Sequence, residues 1–90
     1  MNFITEPERI WLPGEDGKVL AEVTFPLDER GVAQIDHTFV DGSLRGQGVA
    51  GQLLQALAAH LRSEGIKASP VCSYALSWFQ KHPDQQDLLA

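Results

Sequence analysis

A glycine-rich stretch near the middle of the chain has the residue types that bind anions. Gly46 and Gly48 precede an apolar stripe with helical spacing, and Arg45 stands directly before them. Glycines at the start of a helix let a ligand approach the backbone, where the first N–H groups have no partner within the helix. The helix dipole adds about half a positive charge at this end, and the forked guanidinium of Arg45 fits phosphate oxygens. The pattern therefore predicts a site for a phosphate or a diphosphate.

Two common phosphate-binding motifs do not account for this stretch. The P-loop pattern is absent, because no lysine follows the glycines. Gly46, Gly48 and Gly51 satisfy the letters of the dinucleotide-binding pattern GxGxxG, but the chain is short for that fold. That fold also places an acidic residue at the end of a second strand, whereas Glu64 falls at the end of the predicted helix. A different kind of phosphate site is therefore expected.

Cysteine and histidine side chains supply candidates for catalysis. Cys72 stands beside a predicted helix start at Ser73, a position that favours the thiolate, although a lone cysteine is commonly a small buried hydrophobe. His37 lies on an alternating strand and is either a general base or a hydrogen-bonded structural residue. His60 and His82 are expected at the surface. No segment gathers enough His, Cys and acidic residues for a metal site.

The composition excludes several classes of protein. The 90 residues carry 7 Lys plus Arg against 12 Asp plus Glu, a net charge of -5, with no basic cluster that could follow a nucleic-acid backbone. The single cysteine excludes an internal disulfide and favours a reducing, cytoplasmic compartment. We recognise neither a signal peptide nor an apolar run that could span a membrane. We expect one domain over residues 1–90, a monomer or a weak homodimer that pairs through an exposed strand edge.

The first half of the chain has the period of β-strands. Alternating apolar residues and intervening turn residues predict a meander of three antiparallel strands, at residues 8–12, 19–25 and 32–40. The third strand sets Val32, Gln34, Asp36 and Thr38 on one face against Ala33, Ile35, His37 and Phe39 on the other.

The second half changes to a helical period. Apolar residues recur at three- and four-residue spacing over residues 49–62, and Gly65 is a suitable left-handed cap. A strand over residues 66–71 follows, and then a short helix from an N-cap at Ser73 to about Lys81. The fold class is therefore α+β or α/β, an antiparallel meander extended by a right-handed βαβ unit.

The glycine-rich stretch also resembles a known acyl-CoA motif. The residues from Arg45 to Ala50 read R-x-x-G-x-A, which is similar to the [Q/R]-x-x-G-x-[G/A] motif of the GNAT superfamily of N-acetyltransferases. Three further segments, residues 37–40, 70–74 and 81–83, resemble a compact GNAT-like subfamily of about this length. The resemblance runs from about Asp16 to the end of the chain.

The resemblance implies how acetyl-CoA or CoA would be bound. Backbone amides at the start of the long helix would hold the pyrophosphate; they belong to Arg45, Gly46, Gln47, Gly48, Val49 and Ala50. Main-chain groups of Phe39 and Val40 would bind the pantetheine arm. In this family two parallel strands splay apart, here residues 35–40 and 66–71, and the acyl thioester lies between them.

The same resemblance implies the catalytic side chains and the reaction. Cys72 and His37 would face the thioester, and Tyr74 would donate a proton to the departing thiolate. The expected activity is acetyl transfer from acetyl-CoA to the amine of a small molecule or protein, either directly or through Cys72. Larger family members have a helix pair that helps form the acceptor site, and the turn at residues 13–17 leaves no room for it. The alternative is a CoA-binding or acyl-CoA-binding module without turnover.

Overall fold

Six strands and two α-helices make up the chain. The computed structural model describes residues 1–90 and contains strands β1 (Ile4–Glu6), β2 (Arg9–Pro13), β3 (Val19–Thr24), β4 (Ala33–Ile35), β5 (His37–Val40) and β6 (Ala68–Pro70). The helices are α1 (Val49–Glu64) and α2 (Ser73–Lys81), with short 3₁₀ segments at Glu15–Gly17, Gly42–Leu44 and Pro83–Leu88. The predicted mixed fold, a meander extended by a βαβ unit and a short second helix, is confirmed.

The antiparallel sheet has the strand order β1-β2-β3-β5. The hairpin between β2 and β3 is closed by a hydrogen bond from the Gly14 N–H to the Lys18 oxygen (2.7 Å), as the turn residues predict. Strand β1 was not predicted, because all three of its residues are exposed and leave no alternating pattern of burial. It pairs with β2 through the register Thr5 to Ile10.

The predicted third strand is in fact two strands that belong to different sheets. β4 pairs with β6 in parallel, whereas β5 pairs with β3 antiparallel. Ala33 and Ile35 are buried, but His37 and Phe39 are exposed, so the inward face changes at Asp36. One extra residue in a strand reverses the faces of everything after it. The prediction that all four of these residues share a face is therefore wrong.

This break also ends the pairing of the chain with β6. The Ile35 oxygen accepts hydrogen bonds from the N–H groups of both Val71 (3.0 Å) and Cys72 (2.9 Å), and the β4–β6 pairing ends there. Beyond Ile35 the chain turns to pair with β3, so β5 has no ladder partner on the side of β6. No backbone hydrogen bond joins β5 to the start of α2, and we call this unpaired region the gap.

The helices follow the sequence pattern closely. The apolar stripe of α1 is buried, and Gly65 adopts a left-handed conformation that lets the Ile66 N–H donate to the Leu61 oxygen (2.9 Å). Helix α2 has Cys72 as its N-cap and Ser73 as its first helical residue, so the predicted N-cap lies one residue too late. The predicted strand over residues 66–71 is shorter, since only Ala68–Pro70 pair.

One apolar core holds these elements together. Seventeen buried residues form a single cluster, and none of them is polar or charged. Both helices contribute to it, α1 through Leu53 and Leu57 and α2 through Ala75 and Phe79. Neither helix has the length and apolar character needed to cross a membrane. The core fixes α1 against the sheet and α2 beside α1, which positions the site described next.

Candidate functional site

The start of α1 presents an array of backbone donors without acceptors. The N–H groups of Gly46, Gly48, Val49, Ala50 and Gly51 donate to no protein group. The first α-helical hydrogen bond is the one from Gln52 to the Gly48 oxygen (3.1 Å). Because these groups are at the positive end of a helix of 16 residues, they form a site that favours an anion.

Asp41 fixes the loop that carries these donors. Its carboxylate accepts hydrogen bonds from the Ser43 hydroxyl (2.6 Å) and the Ser43 N–H (3.1 Å), and Lys18 lies 3.5 Å away. The Ser43 hydroxyl bond, followed by the backbone bond, lowers the pKa of Asp41 below its ordinary value. Its own N–H is bonded to the Leu20 oxygen (2.7 Å), which ties the loop to β3.

The loop glycines have conformations that other residues avoid. Gly46 and Gly48 have positive φ angles of 82° and 71°. A Cβ atom at either position would meet no protein atom within 4 Å, so the space beside both residues is open. Gln47 differs from its neighbours, because its N–H is already bonded to the Leu44 oxygen (3.3 Å). Of the predicted amide set, Arg45 also uses its N–H internally, in a bond to the Gly42 oxygen (3.3 Å).

Two cavities adjoin at the start of α1. The smaller, of about 270 Å³, is lined by Val40, Arg45 and the first turn of α1. The larger, of about 410 Å³, runs between α1 and α2. Gly48, Gly51 and Tyr74 line both of them, so the two adjoin at these residues, and we call them together the groove. Sequence reasoning missed Gly51 as a site residue, although its place at the third position of α1 was a usable signal.

In the gap between β5 and β6, Cys72 contacts a residue that was not predicted to be its neighbour. The Cys72 Sγ lies 3.4 Å from the Thr38 Oγ1, with either atom as the donor. The reversal of faces at Asp36 turns Thr38 inward in place of His37. The thiol is partly buried, at the N-cap of α2.

His37 lies on the opposite, outer face of the sheet. Its side chain is 54% exposed, and its Nε2 is 3.6 Å from the Glu22 Oε1. Glu22 also pairs with Arg9, whose guanidinium stacks over Trp11 at 4.3 Å from the ring centre. Phe39 is on the same outer face and is 39% exposed. The structure therefore separates His37 from Cys72 by placing them on the two sides of β5.

Tyr74 is the predicted catalytic residue that faces the groove. It stands in the first turn of α2, is 40% exposed, and lines both cavities. Partial burial raises the pKa of its phenol above 10.0, its ordinary value. The phenol therefore keeps its proton at neutral pH and can donate it.

The two remaining histidines are partly buried, and each packs against an aromatic ring. His82 stacks on Trp78 with ring centres 4.2 Å apart, and its Nδ1 is 2.7 Å from the Trp78 oxygen. Because a carbonyl only accepts, Nδ1 carries the proton in this bond. His60 packs against Phe25 at 5.9 Å between ring centres. No group of three or more metal-ligating side chains occurs in the chain.

Comparison with known proteins identifies the family. The sequence model of GCN5-related N-acetyl-transferases matches residues 9–88, nearly the whole chain. The chain belongs to the GNAT family. The solution structure of a GCN5-like protein from Staphylococcus aureus is similar with a TM-score of 0.81 and 29% identity, covering 99% of this chain and 87% of that one. No curated protein matches the chain.

Two larger structures share the fold of this GNAT protein. A ribosomal-protein-alanine N-acetyltransferase from Brucella melitensis has a TM-score of 0.57 at 24% identity, and an acetyltransferase from Trypanosoma brucei has 0.53 at 20%. Each match covers 81% of this chain, but only 59% and 58% of the larger proteins. In this GNAT chain, turns without an α-helix join β1 to β2 and β2 to β3.

Replacing Gly51 separates stability from ligand binding. Gly51 is helical and a Cβ there meets no protein atom within 4 Å, so Gly51→Ala should stabilise the fold by about 0.5–1 kcal/mol. Gly51 lines both cavities, so a ligand that occupies them should bind more weakly to the variant. Thermal unfolding and calorimetric titration measure the two effects. Equal or tighter binding in the stabilised variant would contradict this position for the ligand.

Proposed function

We propose that this GNAT protein transfers an acetyl group from acetyl-CoA to an amine. The observation that supports this most strongly is the set of unpaired N–H groups at the start of α1, from Gly46 to Gly51. Five unpaired donors and a helix dipole suit a pyrophosphate, which carries charge and several acceptor oxygens. Arg45 lines the same cavity and pairs with no carboxylate, so its guanidinium is available to the ligand.

The structure offers a path for the rest of acetyl-CoA. Val40 lines the cavity that begins at the pyrophosphate donors, and β5 has a free backbone edge toward β6. We assign main-chain groups of Phe39 and Val40 to the pantetheine arm, which then enters the gap beside Thr38 and Cys72. Acetyl-CoA would supply the acetyl group as a thioester at this point. We assign the pyrophosphate to the predicted set of amide donors with Gly51 added: Arg45, Gly46, Gln47, Gly48, Val49, Ala50 and Gly51. Arg45 and Gln47 contribute least, because their N–H groups are bonded within the loop.

The reaction needs a base on one side of the thioester and an acid on the other. The amine nitrogen attacks the thioester carbon, a C–N bond forms, and the C–S bond breaks. His37, oriented by Glu22 on the outer face, would remove the proton of the amine directly or through a water molecule. Tyr74, on the groove side, would donate a proton to the departing thiolate. The acceptor would then approach from the outer face, opposite the CoA groove.

The surroundings of Cys72 favour direct transfer over a covalent acetyl-cysteine. The only polar partner of its thiol is the Thr38 hydroxyl, which is not a base, and His37 lies on the other face. We expect no acetyl adduct in intact-mass spectra after incubation with acetyl-CoA. Cys72→Ala should retain turnover within about tenfold, because the residue lines the thioester end without forming a bond to the acetyl group. An adduct that disappears in Cys72→Ala and is consumed by added amine would show the covalent route instead.

Thermal unfolding with CoA, acetyl-CoA and ATP in parallel tests the binding half of this proposal. A ligand at 100 times its dissociation constant stabilises the fold by about 2.7 kcal/mol. For a domain of this size the midpoint should rise by about 10 °C or more. CoA and acetyl-CoA should both give this shift, and ATP, which lacks the pantetheine arm, should give much less. If neither acetyl-CoA nor CoA raises the unfolding midpoint, the proposal is wrong.

Binding without turnover is the second candidate, and one observation favours it. No α-helix joins the first three strands, so none forms a wall around the acceptor on the outer face. An amine panel that includes polyamines and a lysine peptide distinguishes the two functions, since the acidic protein attracts cations. Binding of CoA with no acetylation of any amine would support the module.

The single free cysteine fits a reducing compartment, which we propose to be the cytoplasm.

A further inference from the structure

The cationic side chains of this protein are divided unequally between internal bonds and the groove. Five of the seven are bonded within the protein: Arg9, Lys18, Arg30 and Arg62 pair with carboxylates, and Lys67 donates to the Asp87 oxygen. Arg45 and Lys81 have no such partner. Arg45 lines the smaller cavity and Lys81 lines the larger. The two uncommitted cations therefore lie along one groove.

The groove also lacks the opposite charge. The chain has twelve acidic residues, yet none of them lines either cavity. The larger cavity is bordered by one face of each helix, with Gln52 and Gln55 from α1 and Ser77 from α2 between Tyr74 and Lys81. Lys81 is two helical turns beyond Tyr74, about 10 Å along α2. A second positive site thus stands at a distance from the amide donors, beyond a polar stretch without carboxylates.

We propose that Lys81 binds a second anionic group of the same ligand, the phosphate on the ribose of CoA, and so makes the protein select CoA over dephospho-CoA. This inference rests on the proposed function, since it needs the pyrophosphate at the start of α1. Beyond the pyrophosphate, the ribose phosphate is the other anionic group of CoA, and one sugar separates the two. The amides and hydroxyl that line the intervening groove can hydrogen-bond that sugar and its base.

Lysine suits this position for a physical reason. Its ammonium is a compact charge on a flexible stem, so it can reach a phosphate at the open side of a groove without a fixed geometry. Lys81 is also in the last turn of α2, where a cation interacts favourably with the helix dipole. If Lys81 acted only on the helix dipole, replacing it would alter the stability of the protein and leave the preference for CoA over dephospho-CoA unchanged. The test distinguishes these two roles.

The test compares dissociation constants for CoA and dephospho-CoA by calorimetric titration. The unmodified protein should bind CoA about fivefold more tightly than dephospho-CoA at low salt, the size expected of one partly exposed ion pair. Lys81→Gln should bring the two constants together by weakening CoA alone. Lys67→Gln removes the same charge elsewhere and keeps a donor for the Asp87 oxygen, so it should preserve the preference. In 1 M salt, where the screening length is about 3 Å, the preference should shrink.

The outcomes separate this inference from the proposed function. Equal affinities of the unmodified protein for the two ligands, or an unchanged preference in Lys81→Gln, would overturn the role of Lys81 and leave CoA binding intact. A loss of preference in Lys67→Gln as large as in Lys81→Gln would also overturn it, since the effect would then follow net charge. Failure of both ligands to bind would overturn the proposed function together with this inference.

Discussion

Gly48→Ala should reduce the affinity for CoA by about a hundredfold while the protein remains folded. Gly48 is itself one of the unpaired donors to which we assign the pyrophosphate, and a Cβ there would meet no protein atom within 4 Å, so it would take up space open to the ligand. Displacing the phosphates costs at least two charge-assisted hydrogen bonds of about 1.5 kcal/mol each, and each 1.4 kcal/mol is roughly tenfold in affinity. Calorimetric titration of the variant with CoA measures the loss.

The chain supplies a matched control for backbone strain at Gly48. Gly31 is in the turn before β4, has a φ of 78°, and also has open space at its Cβ. Each alanine substitution should therefore cost about 1–2 kcal/mol of stability, because both force a left-handed conformation. Only Gly48→Ala should lose CoA. Comparable affinities in the two variants would show that the ligand does not contact this glycine.

Tyr74→Phe should lower kcat about a hundredfold, the lower end of the range for a general acid, without changing the affinity for CoA. The ring remains to line the groove, and only the phenolic proton is removed. Burial raises the pKa of Tyr74 above 10.0, so the protonated form that we propose as the acid persists through neutral and moderately alkaline pH. If the protein turns over as proposed, its rate should not fall through ionisation of Tyr74 below about pH 10.

Single-turnover kinetics and titration of the same Tyr74→Phe preparation separate chemistry from binding. A normal rate would assign the proton to water or another group, and a loss of affinity equal to the loss of rate would make Tyr74 a binding residue. His37→Gln is the companion variant, since it alters the proposed base on the outer face and leaves the groove unchanged. It should lower the rate with CoA affinity retained.

The architecture was predictable where apolar residues recur at a regular spacing over a long segment. The stripe of α1 extends over four turns, and Gly65 supplies an independent end signal, so the helix was predicted within two residues at its C-terminal end. The meander followed from alternation and from the turn residues at Gly17 and Gly31. The glycine stretch and Arg45 indicated the unpaired backbone donors of the candidate site, because the first N–H groups of a helix have no partner within it.

What sequence could not show is the break at Asp36. The alternation predicted for a single strand continues in the sequence from Val32 to Phe39. No local sequence signal indicates that the chain leaves one sheet and joins another. The change depends on the partner strands, because β6 pairs up to Ile35 and β3 pairs from His37 onward. This single extra residue decides that Thr38 and not His37 meets Cys72.

The groove between α1 and α2 was equally beyond the sequence. It exists because the core places one face of each helix beside the other, and the residues that line it are spread over the chain from Gly48 to His82. Lys81 in isolation is an ordinary surface lysine. The role that we propose for Lys81 depends on the fact that all other cationic side chains except Arg45 are bonded within the protein, which only the folded structure shows.

A titration of the ¹⁵N-labelled protein with CoA, followed by amide NMR signals, tests the central claim most directly, because a protein of 9.9 kDa gives resolved spectra. We predict that the largest changes fall on the five unpaired N–H groups at the head of α1, those of Gly46, Gly48, Val49, Ala50 and Gly51. The amides of Gly17 and Gly31, in turns outside the groove, should stay in place. Binding that leaves the five signals unmoved, or an absence of any change at millimolar CoA, would contradict the account.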